Sequence, residues 1–246
     1  MEISKKPEVL TEDSVHIWVA DFNNWRGHAS EFRGLLSEEE KERLDRLKIE
    51  QKQEDYLCSR GILRMILSLY IGENPESLVI RITPSGKPFL PFTGVQFNIS
   101  HSGDRFICGI SLKNQIGIDI QEQYSISSLQ RIIENFFSPA EIEYLSSLPD
   151  YGLYQEHFFA IWTAKEAYLK AVGYGIKGSF TRLSMLPESV SLRSFLLDHP
   201  ELDNTPRNWM IRTLDIAQGY TAALAINGTI LEINKYDLFP GDINLT

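Results

Sequence analysis

Cysteine is scarce in this chain of 246 residues: Cys58 and Cys108 stand far apart, and no CxxC pair occurs. That speaks against a zinc knuckle and a redox dithiol and for two reduced, structural thiols. Basic charge is also short, with 24 Lys and Arg against 33 Asp and Glu, a formal net charge of −9. A chain with that balance has no basic face for a polyanion, which argues against a nucleic-acid scaffold. A local basic pocket for one small phosphorylated ligand stays open. No stretch approaches the roughly 18 apolar residues that a membrane span needs. The first residues, Met1 to Glu8, lack the apolar core of a secretory leader. The expectation is a reduced, cytoplasmic protein that binds neither nucleic acid nor membrane.

What is present is an ordinary globular composition, 43% hydrophobic and 23% charged, long enough for one large domain or two small ones. Val15 to Ala20 reads as a strand buried on both faces. Ser37-Glu38-Glu39-Glu40 has the form of a capping box that opens a charged helix. A second helix is expected from Gln51 to Tyr70, with Gly72 as its stop. Strands are expected at 78–82, at 95–100, at 106–111 around a Ser-His-Ser-Gly turn, and at 116–120. Ser138-Pro139-Ala140-Glu141 opens another helix, and Phe158 to Val172 forms the next, ended by Gly173. The runs 209–213 and 220–226 read as strands. The order, strand–helices–strands given twice, suggests an α+β protein of two similar halves, 1–113 and 114–246. The tail is expected to pack back on the first half.

Two segments carry the chemistry. Gly117-Ile118-Asp119-Ile120-Gln121 puts a carboxylate in an apolar strand, where it is costly unless paired or bound to a cation. Gln121 shares its face, because side chains alternate along a strand. Trp162, Lys165, Glu166 and Lys170 stand at i, i+3, i+4 and i+8 of a helix and so are expected to share one face. Asp119 and Glu166 are of the right chemistry for a divalent ion, and the lysines for phosphate oxygens. Their plain alternatives are a hydrogen-bonded strand Asp and an exposed Glu166–Lys170 pair. Glu141 is already explained by its capping box. His101, between Ser100 and Ser102, is able to donate to a phosphate or simply to be solvated. Lys87, between Gly86 and Pro88, sits on a restricted backbone suited to an anion or to an ordinary turn.

The series Gly86-Lys87-Pro88, Phe97-Asn98-Ile99-Ser100-His101-Ser102, Gly117-Ile118-Asp119-Ile120, Phe136-Phe137-Ser138-Pro139-Ala140-Glu141 and Trp162-Thr163-Ala164-Lys165-Glu166-x-x-x-Lys170 resembles the 4′-phosphopantetheinyl transferases of the large, monomeric, surfactin-synthetase-activating type. The resemblance spans residues 35–230, with the motifs in family order. It implies two α/β halves related by a pseudo-twofold axis, with the active site between them. It implies magnesium-dependent transfer of 4′-phosphopantetheine from coenzyme A to a serine of an apo acyl or peptidyl carrier protein, with release of adenosine 3′,5′-bisphosphate. On matching positions, Asp119 and Glu166 would bind magnesium, with Gln121 as a third, neutral ligand. Lys165 and Lys170 would contact the phosphates. Lys87, Pro88, Ser100 and His101 would hold the adenosine and 3′-phosphate end, and Trp162 would pack within the catalytic face. Glu166 is the first choice for the base that deprotonates the serine, and Glu141 the second.

Two departures from the family pattern stand out. Relatives commonly carry Glu where this chain has Gln121. Relatives also often place Arg or His near the start of the second helix, where this chain reads Lys52-Gln53-Glu54-Asp55. Arg43, Arg46, Lys48, Lys52 and Arg60 are candidates to complete that pocket. The segment 121–136 is expected to meet the carrier. The alternatives are an impaired relative that binds coenzyme A or carrier without turnover, and a phosphohydrolase. Fatty-acid, polyketide and peptide-synthetase carriers all stay open as substrates.

Overall fold

The computed structural model describes residues 2–3, 6–124, 126, 129–173, 180–189, 191–198 and 208–244. Its larger elements in chain order are β1 (Ser14–Asp21), α1 (Glu38–Asp45), α2 (Glu50–Ile71), β2 (Val95–Ser102), β3 (Arg105–Leu112), β4 (Ile116–Glu122), α3 (Leu129–Phe136), α4 (Pro139–Ser146), α5 (Tyr151–Val172), β5 (Trp209–Leu214), β6 (Tyr220–Asn227) and β7 (Glu232–Leu238). Local chemistry explains most of the helix ends. Both expected capping boxes form: Ser37 with Glu40, and Ser138 with Glu141. Asp150 caps α5 by accepting from the Leu153 amide, so that helix begins well before Phe158. Gly72 and Gly173 end α2 and α5 in the left-handed conformation, at φ +74° each, which glycine adopts at little cost.

β7, β1, β3 and β2 form a four-stranded sheet in that order, and β5, β6 and β4 a three-stranded one. Among the described residues β7 is the strand of these sheets that pairs in parallel. It comes from the C-terminal end of the chain yet runs parallel to β1, Glu232 opposite Ser14 through Leu238 opposite Ala20. The alternation of each strand then sorts its residues into layers. Trp18, Ala20, Phe106, Cys108 and Ile110 face α2, where they meet Ile62, Leu63 and Ile66. Val15, Ile17, Val19 and Ile107 face the other way, onto Ile116, Ile118, Ile120, Leu224 and Ile226 of the second sheet. The opposite face of that second sheet carries Ala223 and Ala225 against Ala160, Ala164, Ala167 and Tyr168 of α5. The molecule is thus a stack of helix, sheet, sheet and helix, with α2 and α5, each 22 residues long, as its outer layers. This is a mixed α/β architecture.

Some expectations are corrected. The strand expected at 78–82 is reduced to Arg81–Ile82, since Leu78 gives its carbonyl to Arg64 instead of to a neighbouring strand. His101 and Ser102 extend β2, and the hairpin turns one step later, at Gly103, where φ is +52°. α3 and β7 were not expected at all.

One contact positions everything that follows. Gly117 lies under α5, and a Cβ there would stand 1.9 Å from the Ala167 carbonyl oxygen and 2.4 Å from the Ala171 nitrogen. Helix and strand backbones touch with nothing between them. Gly117→Ala should therefore lower stability by about 3 kcal/mol, as overpacking against a backbone that cannot give way. Chemical denaturation with an unchanged m-value would measure it, and a loss below 1 kcal/mol would show that α5 is free to shift.

Candidate active site

Because Gly117 faces α5, so do Asp119 and Gln121, two and four residues on. Asp119 is 2% exposed. Its Oδ1 accepts from Lys170 Nζ at 2.5 Å and from Ser100 Oγ at 2.8 Å, and its Oδ2 accepts from Gln121 Nε2 at 2.9 Å. Lys170 also donates to Ser100 Oγ at 2.9 Å. Glu166, one turn before Lys170, is buried beside this group, and its carboxyl is pushed up to about 7, first by burial and then by the charge of Asp119, with Lys170 opposing. A pair of carboxylates in mutual repulsion, with a neutral amide beside them, is a donor set that suits a hard divalent ion completed by ligand oxygens. Among the described residues no group of three or more His, Cys, Asp and Glu gathers anywhere, so an ion here would rest on two carboxylates and neutral oxygens.

Next to this acidic pair opens a cleft of about 580 Å³ lined by Arg43, Leu47, Lys52, Asp55, Tyr56, Ser59, Arg60, Ile99, Ser100, His101 and Lys170. Ser100 and Lys170 belong to both. α1, α2 and β2 supply most of the cleft, and α5 supplies Lys170. Tyr56 stands between two guanidinium groups, Arg43 at 5.8 Å and Arg60 at 5.4 Å from its ring centre. The phenol ring holds both cations in place by the attraction of its face. Arg60 Nε is buried with no hydrogen-bond partner among the described residues. The one acid in the lining, Asp55, is held by Arg26 at 3.0 Å and by Gln51 at 3.1 Å. Arg26 also binds Asp104 at 2.7 Å. What remains unpaired in the cleft is positive, so it is built for an anion.

Not every expected residue is brought here. Lys165 is fully buried, donating to Glu141 at 2.6 Å and to the Phe136 carbonyl at 3.1 Å. The rings of Phe137 and Phe180 flank its ammonium. Glu141, also fully buried, accepts further from the backbone of Ser138 and Met185. Both are thus enclosed in a structural ion pair that joins α4 to α5, away from the cleft lining; a one-residue step along a helix turns Lys165 about 100° from Glu166. Trp162 goes with Lys165, packed among Phe136, Phe137, Phe158 and Phe180. Lys87 donates to the carbonyls of Ala171 and Ile116 and does not line the cleft. Pro88 pairs with Ile82 in a two-residue hairpin strand. Arg46 and Lys48 lie outside the lining, and Arg46 donates to the Glu42 carbonyl.

Arg26 and Tyr56 were missed. Tyr56 reads as one more residue of an apolar helical stripe, and nothing in the sequence couples Arg26 to Asp55, 29 residues further on. Of the expected carrier-facing segment 121–136, residues 125 and 127–128 lie outside the described residues. Tyr124 is 62% exposed and borders a groove with Gly152, Gln155, Glu156 and Phe159.

The enclosed pair gives a test. Glu141→Gln leaves the Lys165 ammonium buried without its counter-charge and should cost about 3–5 kcal/mol. The double change Glu141→Gln with Lys165→Met should cost less than the single one, because no charge is stranded. Denaturant unfolding reads both. A single change that is neutral would mean that Glu141 is open to solvent.

The chain matches two family models, one for the 4′-phosphopantetheinyl transferase superfamily over residues 115–225 and one for the 4′-phosphopantetheinyl transferase N-terminal region over residues 23–111. It is 37% identical over 177 residues to the 4′-phosphopantetheinyl transferase HetI of Nostoc sp., covering 70% of this chain and 74% of that protein. It is 29% identical over 202 residues to a 4′-phosphopantetheinyl transferase of Bacillus subtilis, covering 80% of this chain and 85% of the relative. A solved holo-(acyl-carrier-protein) synthase from Bacillus anthracis, in complex with CoA, is 22% identical with a TM-score of 0.36 over 46% of this chain and 93% of that one. With an identity of 37% across 70% of its length to HetI, the chain belongs to the 4′-phosphopantetheinyl transferase superfamily and is an enzyme of that class.

Proposed function

We propose that this enzyme transfers the 4′-phosphopantetheine group of coenzyme A to a serine of an apo carrier protein, with magnesium, and releases adenosine 3′,5′-bisphosphate. The observation that carries the reading is the continuity of a cationic cleft with a buried acidic pair through Lys170 and Ser100. A ligand with phosphates at one end and a reacting pyrophosphate further on needs both chemistries in that order. Arg43, Lys52 and Arg60, with His101 at the rim, would hold the nucleotide's phosphate charge. Tyr56 keeps the two guanidinium groups oriented, so little side-chain freedom is lost on binding. The magnesium ion, held by Asp119 and Glu166 with the amide oxygen of Gln121 as a third donor, would supply positive charge at the pyrophosphate oxygens.

The remaining work falls to the chain's own groups. Lys170 reaches both the cleft and Asp119, and from there it neutralises charge that develops on the departing bisphosphate. Glu166 is the first choice to accept the serine hydroxyl proton, directly or through a water held at the metal. Burial of Glu141 on Lys165 leaves Glu166 as the base within reach of the cleft. The carrier would approach over the exposed Tyr124 and the groove beside the first turns of α5.

The decisive measurement is the mass of an apo carrier protein after incubation with this protein, coenzyme A and magnesium. A gain of one phosphopantetheine that needs magnesium is expected; coenzyme A binding without any gain would favour an impaired binding relative. Glu166→Gln should reduce transfer at least about a hundredfold, the scale of a lost general base, while circular dichroism stays unchanged. Magnesium binding offers a test free of activity. Below about pH 7 Glu166 carries a proton that the ion must displace, and above it does not. Affinity should therefore rise with pH through that region and a proton should be released, as read by calorimetry in buffers of differing ionisation heat. Affinity flat across that range would remove Glu166 from the metal.

A further inference from the structure

Lys87, like Lys165, is a cation expected at the cofactor that the fold places elsewhere. The turn that carries it is rigid. The Thr83 amide donates to the Lys87 carbonyl and the Gly86 amide to the Thr83 carbonyl, both at 2.9 Å, while the Lys87 amide donates to Thr83 Oγ1 at 3.0 Å. Gly86 sits at φ +91°, and Pro88 restricts the backbone of Lys87 from the other side. From this turn the side chain crosses to the other half of the molecule. Its Nζ donates to the Ala171 carbonyl at 2.7 Å and to the Ile116 carbonyl at 3.1 Å. Among the described residues no carboxylate pairs with it, and burial brings the ammonium down to about 8.

The two acceptors are what matter. Ala171 lies in the last turn of α5, whose carbonyls have no partner within the helix and attract a cation. It directly follows Lys170. Ile116 opens β4, next to Gly117 and three residues before Asp119. One ammonium therefore joins the helix that carries Glu166 and Lys170 to the strand that carries Asp119. It does so beside Gly117, where the two backbones touch, one strand step from the Lys170 bonds to Asp119 and the Ile118 carbonyl. Ser85 of the same turn closes on the helix end, its Oγ 3.5 Å from where a Cβ on Gly173 would stand.

We propose that Lys87 is a positioning residue, a bracket between the end of α5 and the start of β4 that holds Lys170 and Glu166 in register with Asp119, and not a contact of the anionic ligand. This rests on the transferase reading above. The two are separable, because that reading fails if the unaltered enzyme does not load a carrier, whatever Lys87 does.

The experiment compares Lys87→Met with Arg60→Gln, using coenzyme A and 3′-dephospho-coenzyme A with one apo carrier. If Lys87 positions the catalytic groups, Lys87→Met should lower kcat by roughly tenfold to a hundredfold, the scale of a small misplacement of reacting groups. Its KM for coenzyme A should stay within about twofold, and its preference for coenzyme A over the dephospho form should be unchanged. Arg60→Gln, in the cleft, should raise KM. Loss of the preference for coenzyme A in Lys87→Met would overturn the proposal, since Lys87 would then be holding the 3′-phosphate. An unchanged kcat would overturn it too. A second measurement needs no variant, in case Lys87→Met does not fold. Under reductive methylation of the wild-type enzyme read by mass spectrometry, Lys87 should label slowly with and without coenzyme A, while Lys52 and Lys170 become protected when coenzyme A is added. Ready labelling of Lys87 in the free enzyme, with or without protection by coenzyme A, would sink the bracket.

Discussion

The backbone contact between α5 and β4 at Gly117 is the constraint on which the site depends. Most helices rest on a sheet through a layer of side chains. Here Ala160, Ala164, Ala167 and Ala171 line the helix face and a glycine opposes them, so the axis sits closer to the strand than larger residues would allow. That closeness lets Lys170 reach Asp119 within 2.5 Å and leaves Glu166 buried beside it. It also makes the acidic pair repel, because the same approach that forms the ion pair removes water from both carboxylates. The electrostatic character of the site is thus a consequence of a packing decision made two residues away from Asp119.

α5 divides its polar residues between two separate tasks, and this division explains which parts of the sequence reading survived contact with the structure. Lys165 and Glu166 are neighbours in the chain, and helical spacing alone puts both beside Trp162. In the fold the 100° step between them sends Lys165 into an aromatic enclosure with Glu141 and sends Glu166 to Asp119. Periodicity gives the neighbours on one helix but not the element each face will meet. The capping box at Ser138 was legible because it is chemistry within four residues. Its second use, as the counter-charge of a lysine 24 residues on, was not.

The same distinction holds for the fold at large. The principal strands and the two long helices follow from alternation, helical spacing and glycine stops, all of which are local. β7 did not follow. Glu232-Ile233-Asn234-Lys235-Tyr236-Asp237-Leu238 is polar for a strand and acquires its place by lying parallel to β1 at the sheet edge, with Tyr236 stacked on Trp18 at 4.8 Å. The anion cleft was half legible. Arg43, Lys52 and Arg60 were named as basic residues in search of a role, but their convergence depends on α1 turning back onto α2, which the buried Arg64–Glu40 pair at 2.7 Å fixes. Asp55 looked like a departure that weakened the pocket. Arg26 neutralises it, so the pocket keeps its sign.

Gln121 belongs to the same logic. An amide in place of a carboxylate lowers the negative charge around Asp119, and a third acid there would have added to the repulsion already pushing up Glu166. In the fold Gln121 donates its Nε2 to Asp119 Oδ2. Its Oε1 is thereby turned outward as a neutral acceptor, while Lys170 and Ser100 occupy the other oxygen of Asp119. Asp119 thus accepts from three donors, Lys170, Ser100 and Gln121. A divalent ion entering such a site exchanges an existing set of bonds for new ones instead of filling an unbalanced charge. Its affinity would then depend on how readily Lys170 and Gln121 release Asp119, and Lys170 is the residue with a second place to go, the cleft that it already lines.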